Sequence, residues 1–300
     1  MSIPVLVRTL VGLTLFALAI AAQAEVLKPM VLAYSTAGGD VGTEAEAVRE
    51  RLTAAGFEAL GQYEVDGDVT VLVFTSGELL EAAAASDRGA YIAPLRVAVT
   101  RVNGELQVSY NNLEYFAHAY RVDRSLAGVM SRVESAIGAQ ETFGARGLGP
   151  ESLARYRYAF GMERFDDPYD LATYPSTERA LAALDANLRA RKGGVREVYR
   201  VRIPGRDAIL IGVAIREDAG AERDASDLFK MTTVDVGERR HSPYLPYEIL
   251  IVDGRVEALH MRFRMALHFP DLRMMGENSF LQLRRSPAAL EETLVEVAGG

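Results

Sequence analysis

The chain is 300 residues long, carries 33 Lys and Arg against 41 Asp and Glu for a formal charge of −8, and contains no cysteine. The missing thiols exclude disulfides, a thiolate nucleophile, cysteine-held metals and a lipid-modified cysteine. The acidic balance, with no long basic run, argues against nucleic acid, whose phosphates such a surface repels.

Residues 1–24 read as a secretory signal peptide. Arg8 is the one charge, residues 10–21 are apolar or weakly polar, and Ala22-Gln23-Ala24 is a small-x-small pattern with cleavage expected after Ala24. The run falls short of the roughly 20 apolar residues of a bilayer span. The expectation is an exported, periplasmic protein with no membrane span once the peptide is removed.

Residues 31–35 make a first strand, broken at Gly38-Gly39. Thr43 with Glu46 forms a capping box for a helix to about Ala55, closed by Gly56. Its inward stripe is Ala47, Val48, Leu52 and Ala55. An apolar strand (69–74) and a short helix (79–86) follow. Val97 and Val99 alternate with Arg96 and Thr100, the mark of a half-buried strand. Asn103-Gly104 then suits a type I′ turn, and Leu106, Val108 and Tyr110 alternate with polar residues in the returning strand. Asn111 and Asn112 cap a helix with Leu113, Phe116, Ala117 and Tyr120 on one side. An amphipathic helix (126–137) completes this half.

Pro94-Leu95-Arg96, a turn, Ser109-Tyr110-Asn111 and Tyr115 together resemble the DUF302 family of small bacterial α+β domains. The resemblance covers about residues 30–138. It implies a fold and carries no activity, cofactor or catalytic residue.

Gly138, Gly144, Gly147, Gly149 and Pro150 mark a boundary. Beyond it the element order repeats: a strand (169–174), a helix capped by Ser176, strands at 198–203 and 208–215, an exposed loop (216–225) and a short helix (226–230). Tyr244-Leu245-Pro246 echoes Tyr91 to Pro94, and Asp253-Gly254 echoes Asn103-Gly104. A strand (256–269) and a helix (286–297) finish the chain. Two units with one element order point to duplication. The expected fold class is α+β: two related domains, each a small, mostly antiparallel sheet with helices on one face, arranged as a pseudo-dimer. The expected boundaries are a signal peptide (1–24), a DUF302-like domain (25–138), a linker (139–153) and a second, diverged DUF302-like domain (154–300).

No nucleophile elbow, phosphate loop or metal-ligand spacing is present, so the reading is a non-catalytic binding or accessory protein that requires no cofactor. On a strand, Met261, Phe263, Met265, Leu267 and Phe269 form the core stripe, and His260, Arg262, Arg264 and His268 share the opposite face. His260, Arg262 and Arg264, with Tyr110, Asn111 and Tyr115, would line a pocket between the halves, where the arginine forks suit a small anionic molecule. Another periplasmic protein is the other candidate partner. The alternative reading is metal or haem handling: copper at His260 and His268, or iron held by a tyrosine or histidine. On a straight strand the two histidines lie about 27 Å apart, which opposes a shared ion.

Overall fold

The computed structural model describes residues 26–300; the expected signal peptide lies outside them. The first half runs β1 (Met30–Ala37), α1 (Val41–Ala54), β2 (Glu58–Asp66), β3 (Val69–Thr75), α2 (Gly77–Ala85), β4 (Leu95–Val102), β5 (Glu105–Asn111), α3 (Leu113–Ala119) and α4 (Ala127–Ile137). A short edge strand, β6 (Glu141–Phe143), and α5 (Pro150–Ala154) fall in the stretch around the expected linker. The second half runs β7 (Tyr169–Thr173), α6 (Thr177–Arg189), β8 (Val195–Arg202), β9 (Ala208–Ile215), α7 (Asp227–Val234), β10 (Tyr247–Val252), β11 (Arg255–Ala258), α8 (Met261–His268) and α9 (Ser286–Ala298).

The class is α+β, with two antiparallel sheets. The first sheet is ordered β2-β3-β4-β5-β1-β6 and the second β8-β9-β10-β11-β7. Without β6, the two orders are the same when each half is counted from its own first strand. The hairpin turns match in detail: φ is 51° and 84° at Asn103 and Gly104, and 49° and 77° at Asp253 and Gly254. These are the left-handed conformations that keep a two-residue turn in step with the strand twist.

Local chemistry accounts for most element ends. Asp40, rather than Thr43, caps α1: its carboxylate accepts the Thr43 N–H at 2.8 Å and satisfies a free donor of the first turn. The helix therefore starts earlier, and its buried stripe is Val41, Ala45, Val48 and Leu52. Ser76, Ser176 and Ser226 cap α2, α6 and α7 through their hydroxyls.

The expected strand over 256–269 is the main correction. Strand β11 ends at Ala258, and His260 caps a helix, its ring accepting the Arg262 N–H at 3.2 Å. Alternating apolar and polar residues gave a two-residue period, but Met261, Phe263, Arg264, Met265, Ala266, Leu267 and His268 are all buried. A segment enclosed on nearly every side has no solvent face to set its period.

Helices α1 and α4 cover one face of the first sheet, and α6 and α9 cover one face of the second. The remaining faces pack on each other. Tyr63, Val65, Val71 and Ala98 join the core of the second half, and Tyr199, Val201, Leu210 and Leu250 join that of the first. The result is helix, sheet, sheet, helix. Strand β4 is therefore buried on both faces, and Arg96 and Thr100 point into the other half rather than into water. The lock is reciprocal: turn 89–92 packs on β9 and β10, and turn 242–244 packs on β4 and β5.

Strands β2 and β8 cross at Gly61, where a Cβ would sit 2.3 Å from the Val198 carbonyl oxygen. We expect Gly61→Ala to cost about 1–3 kcal/mol, the usual range for an overpacked contact, and to lower the melting midpoint. Gly67→Ala, with nothing within 4 Å of the added methyl, should leave that midpoint almost unmoved. Thermal melts followed by circular dichroism measure both.

Candidate functional site

The residues expected to line a pocket are brought into one region, but as core. The Tyr110 hydroxyl donates to the Gly138 carbonyl at 3.1 Å. The Asn111 side chain accepts the Arg96 N–H at 2.7 Å and ties the end of β5 to the start of β4. The Tyr115 hydroxyl donates to the Leu267 carbonyl at 2.9 Å and stitches α3 to α8 across the halves. All three are buried, so none presents its polar atom to a ligand.

Arg262 and Arg264 do not share a face. Two residues on a helix turn through about 200°, so Arg262 points outward to Glu163 at 2.9 Å and Arg264 points inward. Glu163 also sits 3.5 Å from the His260 ring. Arg262 is thus engaged at the surface, His260 is a helix cap, and the anion pocket expected from them loses its donors.

Arg264 ends in a buried charge cluster spanning the two halves. Its guanidinium donates to the carbonyls of Tyr244 and Pro246 at 2.6 and 2.8 Å and to Glu248 Oε2 at 3.4 Å. Arg96, from the first half, donates to Glu248 Oε1 at 2.7 Å, and the Tyr199 hydroxyl donates to the same oxygen at 2.8 Å. Arg264 also lies over the rings of Tyr244 and Tyr247 at 4.3 and 4.7 Å, contacts that stabilise a desolvated cation. Arg96, which the sequence shows as a polar position on a half-buried strand and as part of the Pro94-Leu95-Arg96 match, is the central residue to which sequence reasoning gave no role in the site.

His268 completes the cluster. Its Nδ1 faces the Arg264 carbonyl at 2.8 Å and its Nε2 faces Arg96 at 3.3 Å. A carbonyl needs a donor and a guanidinium needs an acceptor, so the ring is neutral with its proton on Nδ1. Burial first, then the two guanidinium charges, hold His268 well below the usual histidine range. A metal cation beside two arginines would meet the same repulsion. His260, also lowered chiefly by burial, belongs to a separate surface contact. Among the described residues no group of three or more His, Asp or Glu is placed to hold a metal ion. His260 and His268, the pair of the copper reading, sit in separate contacts, and Tyr110 and Tyr115, two of the tyrosines the haem reading would draw on, donate to backbone carbonyls.

Open space lies instead at the edges of the interface between the halves. One cleft, of about 300 Å³, lies between Val65, Val69 and Thr100 of the first half and Leu228, Met231 and Val236 of the second. Leu228 and Val236 are 43% and 46% exposed, unusual for large apolar side chains facing one concavity. At its rim Arg101 pairs with Asp68 at 3.2 Å, Asp66 accepts the Asp68 N–H at 2.9 Å, Asp235 accepts the His241 N–H at 2.8 Å, and Arg240 donates to the Asp235 carbonyl. A second cleft, of about 520 Å³, occupies the corresponding position beside α2. Its walls are mixed, with Ile203, Leu250 and Val252 beside Asp87 and Arg206, and with Arg88 held by buried Glu257 at 2.7 Å. Exposed Leu228 and Val236 were readable in the sequence, but only as parts of a short helix and loop.

Comparison with family models, with curated proteins and with solved structures finds no match to this chain. Function must be argued from the geometry.

The charge cluster sets two expected outcomes. Arg264→Ala should cost about 3–5 kcal/mol, the range for breaking a buried ion pair, whereas Arg262→Ala should cost less than about 1 kcal/mol, as exposed pairs do; urea titration separates them. For His268 the sign runs through the unfolded state. That state takes up a proton below about pH 6.5 while the native ring stays neutral, so stability is complete above that pH and falls as the solution is acidified toward the depressed native value. His268→Gln should flatten this fall by up to ~1.4 kcal/mol per pH unit, read from melts between about pH 7 and 5.

Proposed function

We propose that the protein is a non-catalytic binding protein, and that its ligand is a small, uncharged, largely apolar molecule held in the cleft between α7 and the ends of β2, β3 and β4. The apolar lining shared by both halves carries this reading. Leu228, Met231 and Val236 face Val65 and Val69 across a space large enough for a compact ligand. The largely apolar walls argue for an uncharged occupant, because burying an ion against valine, leucine and methionine side chains costs its hydration.

The wider reading keeps the expectations from the sequence. Residues 1–24 support export to the periplasm. The common strand order supports two diverged DUF302-like units packed as a pseudo-dimer, and a ligand at their junction would brace the two halves.

The test is titration with the uncharged solvatochromic dye Nile red. One saturable site per chain is expected, weakened about tenfold or more by Leu228→Arg and by Val236→Arg with little change in melting midpoint. Both positions are partly exposed, so the substitutions act on the cleft rather than the core. Dye binding that ignores both substitutions would sink the proposal.

A further inference from the structure

A second surface lies away from this cleft, where segments 145–160 and 270–285 run side by side. The Tyr158 hydroxyl donates to the Leu272 carbonyl at 2.7 Å, and the Tyr158 ring lies 4.7 Å from that of Phe280. Leu281 N–H donates to the Met274 carbonyl at 3.1 Å and holds the second segment in a tight loop. A shallow depression about 480 Å³ in volume is lined by Arg146, Arg155, Arg157 and Tyr158 from the first segment and Pro270 and Asp271 from the second.

These segments expose apolar side chains that nothing in the fold requires outside. Phe160 is 95% exposed and Met275 71%, with Met274 and Leu281 about half exposed. Arg157 lies over the Phe160 ring at 5.2 Å.

Charge distinguishes the surface from the rest of the molecule. The two segments carry six arginines against Glu151, Asp271 and Glu277, whereas the chain as a whole is at −8. Among the described residues Arg155 alone of the six makes an ion pair, with Glu151 at 3.4 Å. Elsewhere some surface arginines, such as Arg121, Arg132 and Arg216, are held by carboxylates at 2.6–2.7 Å, and others, such as Arg179 and Arg202, are exposed. What sets this face apart is its local excess of arginines over carboxylates. Cations left without partners among exposed aromatic and thioether groups make a surface complementary to an anionic, apolar layer.

A separate observation concerns the first described residues. Leu27 pairs with Leu148 through backbone hydrogen bonds of 2.9 Å in both directions, and a Cβ on Gly147 would touch Val26. Arg146, Gly147 and Leu148 line the depression. The described chain thus enters the folded body at Val26 and Leu27, beside the basic and apolar face.

We propose that this face docks peripherally on an anionic phospholipid bilayer, with Phe160, Met274 and Met275 entering the interface and Arg146, Arg157 and Arg273 meeting lipid phosphates. The docking does not depend on the ligand cleft. It needs no spanning helix, and among the described residues no helix is long and apolar enough to cross a membrane.

The test uses residues 26–300, which contain both sheets and the hydrophobic cores around them. Vesicles of phosphatidylcholine alone are compared with vesicles containing about a third phosphatidylglycerol, at about 0.05 M and 0.5 M salt. Sedimentation with the anionic vesicles at low salt is expected, with at least about tenfold weaker binding to the neutral ones and on charge reversal by Arg146→Glu, Arg157→Glu and Arg273→Glu together. The chain has no tryptophan, so Phe160→Trp supplies a single reporter whose emission should shift to the blue on anionic vesicles. Equal binding to both vesicle types, no loss on charge reversal, or an unshifted emission from the Phe160→Trp variant would each overturn the proposal. So would a concentration-dependent dimer, lost in Phe160→Ser, from a chain that ignores lipid, because the face would then be a contact between copies.

Discussion

Two guanidinium groups closing on one carboxylate, out of reach of water, determine how the two halves meet. Arg96 comes from β4, Glu248 from β10 and Arg264 from α8, and each is at most 1% exposed. Removing such charges from water costs several kcal/mol per ion, and their mutual attraction recovers that cost only when geometry and hydrogen bonding are complete. Here the Tyr199 hydroxyl, two backbone carbonyls and the neutral His268 ring supply much of it, while Arg96 Nε and Arg264 Nε and Nη1 are buried without a hydrogen-bond partner. The aromatic faces under Arg264 help to carry the remaining positive charge. A hydrophobic contact tolerates sliding. This one does not, because a shift of one residue along β4 would replace Arg96 with Leu95 or Val97 and leave Glu248 without its closest cation.

Much of the architecture follows from that alignment. Once the inner faces of the sheets are locked, Gly61 can lie against β8, and turns 89–92 and 242–244 fall against the opposite sheets. The same geometry leaves a wedge at each end of the interface. The wedges occupy corresponding positions, but their walls have diverged. Beside α7 they are valine, leucine and methionine, and beside α2 they hold the Arg88–Glu257 pair. An apolar wall gains by covering itself, whereas the wall beside α2 mixes apolar side chains with charges that need hydrogen-bonding partners of their own. Of the two, the α7 cleft is the one suited to an apolar ligand, and the lipid-facing surface lies on different segments.

What the amino-acid order determined by itself is the local plan. Alternation, the Asn-Gly and Asp-Gly turns and the serine caps depend on neighbours a few residues away, and they specify both hairpins, the helices that precede them and the repeated order of elements. That order carried over into two sheets of matching topology. What only the tertiary structure decided is which polar residues meet water. Arg96 and Thr100 read as the wet side of a half-buried strand, and Arg262 and Arg264 as neighbours on a ligand-binding face. A second sheet covers the first pair, and a helical turn separates the second. Partners such as Glu248, 152 residues from Arg96, leave no periodic trace, because burial depends on the whole packing while periodicity records only one element's surroundings.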